Sequence, residues 1–244
     1  MVELLQIIIG FFTGLIDSVV GGGGLISLPS ISFFLGPGVQ SIATNKVLGS
    51  VGASVALYVY AKKGFLPLKK ALVFCVIAGI GSFLGSSSAH YIDSRFFRYL
   101  FLLICPLILC LILKKDSLLD EKKVKSDNKV LFLLGGLFAG FYDGFFGPGG
   151  GTIMFLSIFL FTPYSLLHSI AISKLANTFS ATTALINFSF QDVINWKLGL
   201  TMAIGMVFGA FFGAQLTVRK STLIIRPLLI LIVSLLFFKL LFNY

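Results

Sequence analysis

Two stretches, GLIDSVVGGGG at residues 14–24 and GFYDGFFGPGGG at residues 140–151, decide the fold. Each is an apolar run that carries one aspartate, Asp17 or Asp143, and then breaks on glycines. Behind each break lies a short apolar block, 24–36 ending at Gly36-Pro37-Gly38 and 150–162 ending at Pro163. At about 1.5 Å per residue such a block reaches about 20 Å, against a bilayer core of about 30 Å. The pattern predicts half-length helices joined to their neighbours by glycine breaks. Bare backbone of this kind is tolerated at membrane depth only where it is buried in protein or faces a watery cavity.

Working outward, the chain resolves into ten apolar segments: 2–20, 24–36, 40–61, 68–90 and 96–113, then 130–146, 150–162, 165–188, 197–217 and 223–243. Only 11% of the 244 residues are charged and 57% are hydrophobic. A soluble domain of this length carries about 25% charged residues, so the apolar excess belongs to lipid. The net charge of +10 would suggest nucleic acid in a soluble protein. Here the basic residues lie between apolar blocks, where orientation in a bilayer accounts for them, and nucleic acid is excluded as a partner. Cys75, Cys105 and Cys110 sit inside apolar blocks without metal or disulfide spacing, and read as small packing residues. No cofactor is expected. The first segment lacks a basic leader and a clear cleavage site, so it reads as a helix and not as a removed signal.

The two halves match. Gly14 to Asp17 and Gly21 reappear 126 residues on as Gly140 to Asp143 and Gly147. Ala43-Thr44-Asn45-Lys46 aligns with Ala171-Ile172-Ser173-Lys174 at an offset of 128, as do Gly81, Gly85 and Arg98 with Gly209, Gly213 and Arg226. A hydrophilic stretch, 114–129, separates them. The expected fold is therefore an all-α polytopic membrane protein: a first transmembrane repeat over 1–113, a charged linker over 114–129, and a second repeat over 130–244. With the linker cytoplasmic, 13 Lys and Arg fall inside and four outside (Arg95, Arg98, Lys197, Lys239). Five helices per half then invert the second repeat and leave both termini outside. Inverted repeats with glycine-interrupted short helices point to a transporter site between the halves.

Lys46 and Lys174 are the two cations inside helices. Snorkelling to the interface is one account of them. The functional account rests on their equivalence between halves and on neighbours that are small or polar: Gly49, Ser50 and Ala53 for Lys46, and Asn177, Thr178 and Ala181 for Lys174. Helix N-termini at the breaks, near Gly22, Gly23, Gly24 and Gly149, Gly150, Gly151, present N–H groups and a partial positive charge to an anion. Asn45, Ser173 and Asn177 add hydrogen bonds. Asp17 and Asp143 have two readings: proton coupling, or bracing, by receiving the N–H groups of the break or by pairing with the lysine of the same repeat. Gly81–Gly85 and Gly209–Gly213 read as close helix contacts, and His90 and His168 as interfacial residues.

These landmarks resemble the TauE/SafE sulfite-exporter family. The resemblance rests on Gly14 to Ser18, Gly21 to Gly24, Pro29 and Ala43 to Lys46 in the first half, on Gly140 to Asp143, Gly147 to Gly150 and Ser173 to Asn177 in the second, and on Trp196, Gly209, Gly213 and Arg226. It implies a bacterial inner-membrane permease that exports sulfite, organosulfonates or related sulfur anions. The expected partners are a small anionic substrate and the lipid bilayer, with a coupling proton and a second copy of the chain as further candidates. A passive anion channel is the alternative. An intramembrane aspartyl protease would need Gly-x-Gly-Asp, which does not occur, so no enzyme is expected.

Overall fold

The computed structural model describes residues 1–89, 91, 96, 99 and 128–220. Every regular element among them is an α-helix: α1 (Val2–Val20), α2 (Gly24–Leu35), α3 (Val39–Lys62), α4 (Leu68–Ala89), α5 (Lys129–Phe145), α6 (Gly150–Phe161), α7 (Leu166–Phe190) and α8 (Trp196–Lys220). These follow eight of the ten expected segments to within a few residues. The expected segment 223–243 lies outside the described residues, as do nearly all of segment 96–113 and of the linker. So do His90, Cys105, Cys110, Arg98 and Arg226.

Among the described residues, four helices are long and apolar enough to cross a membrane: Val2–Val19, Val39–Lys62, Ala71–Ala89 and Trp196–Arg219. Their outward faces are apolar, with Leu72, Val76, Ile80 and Phe83 exposed on α4 and Leu200, Ile204, Phe208 and Phe212 on α8. That pattern suits lipid as solvent. The chain is an all-α polytopic membrane protein. α2 and α6 have 12 residues each, about 18 Å of helix, and so stop part-way.

Glycine sets how the helices meet. α1 packs chiefly on α8, and α4 on α5. A Cβ on Gly10 or Gly14 would overlap the carbonyl oxygen of Met202 or Met206, and one on Gly205 or Gly209 that of Ile7 or Phe11. Across the other pair, Gly81 and Gly85 lie on the Leu137 and Phe141 carbonyls, while Gly140 and Gly144 lie on those of Ala78 and Ser82. The Gly81–Gly85 and Gly209–Gly213 pairs are thus close contacts. Without an oil-versus-water drive between helices in lipid, the packing that such backbone approach allows is one of the sources of association. Gly85→Leu would push α4 off α5 and should destabilise the detergent-solubilised protein by about 1–3 kcal/mol or more, read as a drop in melting temperature.

Residue numbers rise together across both contacts, so α1 runs parallel to α8, and α4 to α5. α3 also runs parallel to α8, since Thr44 meets Asn195, Val47 meets Gly199 and Gly52 meets Met206. α7 likewise follows α4, through Ser82 with Ser180 and Ser86 with Asn187. α3 and α7 form the buried centre and pack on each other.

Candidate functional site

The two glycine breaks meet at the middle of the bundle. Gly21 ends α1 in the left-handed conformation, φ 86° and ψ 27°, and its N–H is accepted by the Asp17 carbonyl. Gly149, at φ 80°, opens α6. A Cβ on Gly21 would sit 2.6 Å from Gly151 Cα, and one on Gly24 2.9 Å from Pro148 Cα. Only glycine permits both this conformation and this approach.

Two lysine–aspartate pairs flank the meeting point, and they cross between halves. Lys46 on α3 reaches Asp143 at the end of α5, with Nζ 3.2 Å from Oδ1 and a further hydrogen bond to the Asp143 carbonyl. Lys174 on α7 reaches Asp17 at the end of α1, with Nζ 3.0 Å from Oδ2 and a bond to the Asp17 carbonyl. Lys46 and Lys174 are 2% and 1% exposed, which rules out snorkelling. Each aspartate has further help. Asp17 Oδ1 accepts the Gly23 N–H at 3.3 Å, and Asp143 Oδ2 accepts the Ser180 hydroxyl at 2.6 Å. The contact with the N–H of the break therefore occurs at Asp17 alone, and lysine pairing occurs at both aspartates, but with the lysine of the opposite half and not, as expected, with that of the same repeat. A buried charge left alone would cost several kcal/mol; paired and hydrogen-bonded, it is tolerated.

Between the pairs lies a cavity of about 30 Å³, room for about two waters. Of the expected site residues, Asp17, Gly24, Asn45, Lys46, Asp143, Gly151 and Asn177 line it. Ser27 donates to Asn45 Oδ1, and Asn45 Nδ2 sits 3.7 Å from where a Cβ would stand on either Gly24 or Gly147. The amide is thus held between the breaks of both halves. Gly22, Gly23, Gly149, Gly150, Ser173 and Lys174 do not line the cavity. Gly23 and Gly150 press instead on the side chains of Asp17 and Asp143. Lys174 is bonded to Asp17, which does line the cavity. The Ser173 hydroxyl donates to the Ile170 carbonyl at 2.8 Å, so its match in position to Asn45 is not a match in role.

Part of the donor set expected at the breaks is spent locally. The Gly23 N–H goes to Asp17, and the Gly150 N–H to the Gly147 carbonyl at 2.9 Å. Sequence reasoning missed Thr13 and Ser27, which line the cavity, and Ser180, which holds Asp143. Thr13 stands four residues before Asp17 on the same helix face, a spacing that could have singled it out. His168 is half-buried, 2.7 Å from the Ser165 hydroxyl through Nδ1 and stacked on Tyr164. Among the described residues no cluster of His, Cys, Asp and Glu could hold a metal ion.

Comparison with known proteins fits this architecture. The family model described as Sulfite exporter TauE/SafE matches residues 6–240. A probable membrane transporter protein of Haemophilus influenzae is 32% identical over 233 residues, covering 94% of this chain and 91% of its own. Probable membrane transporter protein ORF9 of a Sinorhizobium species is 30% identical, covering 91% and 85%. Probable membrane transporter protein YfcA of Escherichia coli K12 is 27% identical, covering 96% and 88%. No solved structure matches the chain. With full-length kinship of this kind joined to a helical bundle built for lipid, the chain belongs to the TauE/SafE sulfite-exporter family and is a membrane transporter.

Proposed function

We propose that this transporter is a secondary carrier that exports a small anion, sulfite or an organosulfonate, across a bacterial inner membrane. The observation that carries the reading is the crossed pair of buried contacts, Lys46 with Asp143 and Lys174 with Asp17, beside a cavity where the two glycine breaks touch. Each half supplies a lysine to the other half's broken helix. A ligand that draws on one lysine therefore loosens a contact between halves, the link that alternating access needs.

The halves 1–113 and 130–244 are, on this reading, inverted repeats around a cytoplasmic linker. The partition of helix directions supports it: α1 and α3 follow α8 from the other half, while α5 and α7 follow α4. Only residues 63–67 join α3 to α4. Five residues span at most about 18 Å, too little to carry the chain back past α3, so α4 returns antiparallel to it. The two sets of helices then oppose each other, as an inverted repeat requires.

The site has two lysines and two aspartates and is neutral as a set. Adding a monovalent anion leaves an uncompensated negative charge, which is costly at this depth. A proton taken by Asp143 or Asp17 restores neutrality and frees the paired lysine for the substrate. The expected result is one proton moved with each monovalent anion. In proteoliposomes, saturable flux of sulfite, sulfoacetate or another small anion should respond to a pH gradient and ignore an imposed membrane potential. Asp143→Asn, which keeps an acceptor for Ser180, should flatten the pH response. Flux at channel rates without counter-exchange would instead identify a passive channel.

A further inference from the structure

The cavity is not symmetric, and Thr13 is where the symmetry fails. Thr13 is 1% exposed and lines the cavity. Its hydroxyl has no hydrogen-bond partner within the protein. A threonine or serine in a helix ordinarily donates to the carbonyl four residues back. Ser30, Thr44, Thr178, Thr201 and Thr217 all do so here, each at 2.8 Å. Thr13 does not. An unmade buried hydrogen bond is expensive, so a hydroxyl held this way in a polar cavity points to a partner that comes and goes. Among the described residues, the other two buried side-chain atoms without partners in the protein, Ser169 Oγ and Gln191 Oε1, do not line the cavity.

The position 126 residues on is Ala139, fully buried in an apolar cluster with Phe74 and Ala78. Only the first half therefore offers a hydroxyl one helical turn before its aspartate. Ser27 and Asn45, a hydrogen-bonded pair lining the same cavity, also come from the first half.

Resting on the anion-carrier reading above, we propose that Thr13 is a substrate-binding residue whose hydroxyl donates to an oxygen of the bound oxyanion. The anion then sits off the axis relating the halves, against the Thr13–Asn45 side.

The test is Thr13→Val, which keeps the shape and removes the hydroxyl, beside Thr13→Ser, which keeps the hydroxyl. Radiolabelled sulfite and sulfoacetate exchange is measured in proteoliposomes, and melting temperature in detergent without substrate. For the anion carried by the wild type, Thr13→Val should raise KM about tenfold and leave the maximal rate within about twofold, the loss of one hydrogen bond to a charged group. Thr13→Ser should restore KM. The substrate-free melting temperature of Thr13→Val should hold or rise, because an unsatisfied group has been removed. An unchanged KM in Thr13→Val, with wild-type exchange intact, overturns the proposal and leaves the carrier reading standing. A lower melting temperature with rate and KM impaired together also overturns it, since that marks a structural hydroxyl. Failure of the wild type to exchange any oxyanion removes the carrier reading itself, and this inference with it.

Discussion

Lys46→Met should abolish anion exchange and also destabilise the protein by about 3–5 kcal/mol, because it strands the Asp143 carboxylate in a buried site. The two losses have different causes, and a second substitution separates them. Lys46→Met with Asp143→Asn removes both charges together while leaving Ser180 its acceptor. Replacing a buried ion pair by neutral groups is often close to neutral for stability, so the double variant should insert, fold and melt near the wild type. It should still not transport, since the cation that draws the substrate is gone. Lys174 with Asp17 should behave alike, and one intact pair should not rescue the other if the halves move as a unit. Melting curves and exchange assays on the same preparations check both arms.

Gly21→Ala carries the second large effect. Gly21 sits at φ 86°, where an L-residue costs roughly 1–2 kcal/mol. Its new Cβ would stand 2.6 Å from Gly151 Cα, in backbone that cannot swing aside as a side chain can. The two breaks would have to separate, and the cavity between Asp17, Asn45 and Lys46 with them. The expected outcome is loss of exchange with a measurable fall in melting temperature. Gly64→Ala is the control. Gly64 also has a positive φ, 80°, but nothing lies within 4 Å of its Cβ position. It should cost the conformational penalty alone and keep transport. If Gly21→Ala transports normally, contact between the breaks is not part of the working site.

Much of the helical framework was legible because membrane segments announce themselves by length and hydropathy, and because glycine runs at matching offsets mark the short helices. Burial of Lys46 and Lys174 was foreshadowed by their equivalence. Their partners were not. The sequence left open whether Asp17 and Asp143 receive N–H groups or pair with lysine, since either contact suits a carboxylate at a break. Which aspartate each lysine meets depends on how α3 and α7 cross, a tertiary fact with no local signal. Ser173 misled because equivalence by position does not fix a rotamer; its hydroxyl turned to its own helix. Thr13 was hidden for the opposite reason. A threonine in an apolar helix is commonplace, and only the failure to bond its own backbone sets it apart.

The most direct measurement is exchange of radiolabelled sulfite, with a panel of small organosulfonates, by proteoliposomes holding wild type or the Lys46→Met, Asp143→Asn double variant, each shown by its melting curve to be folded. Saturable exchange, accelerated by substrate on the far side, in the wild type and none in the folded double variant is the expected result. Equal exchange by both proteins would contradict an anion site built on the crossed lysine–aspartate pairs.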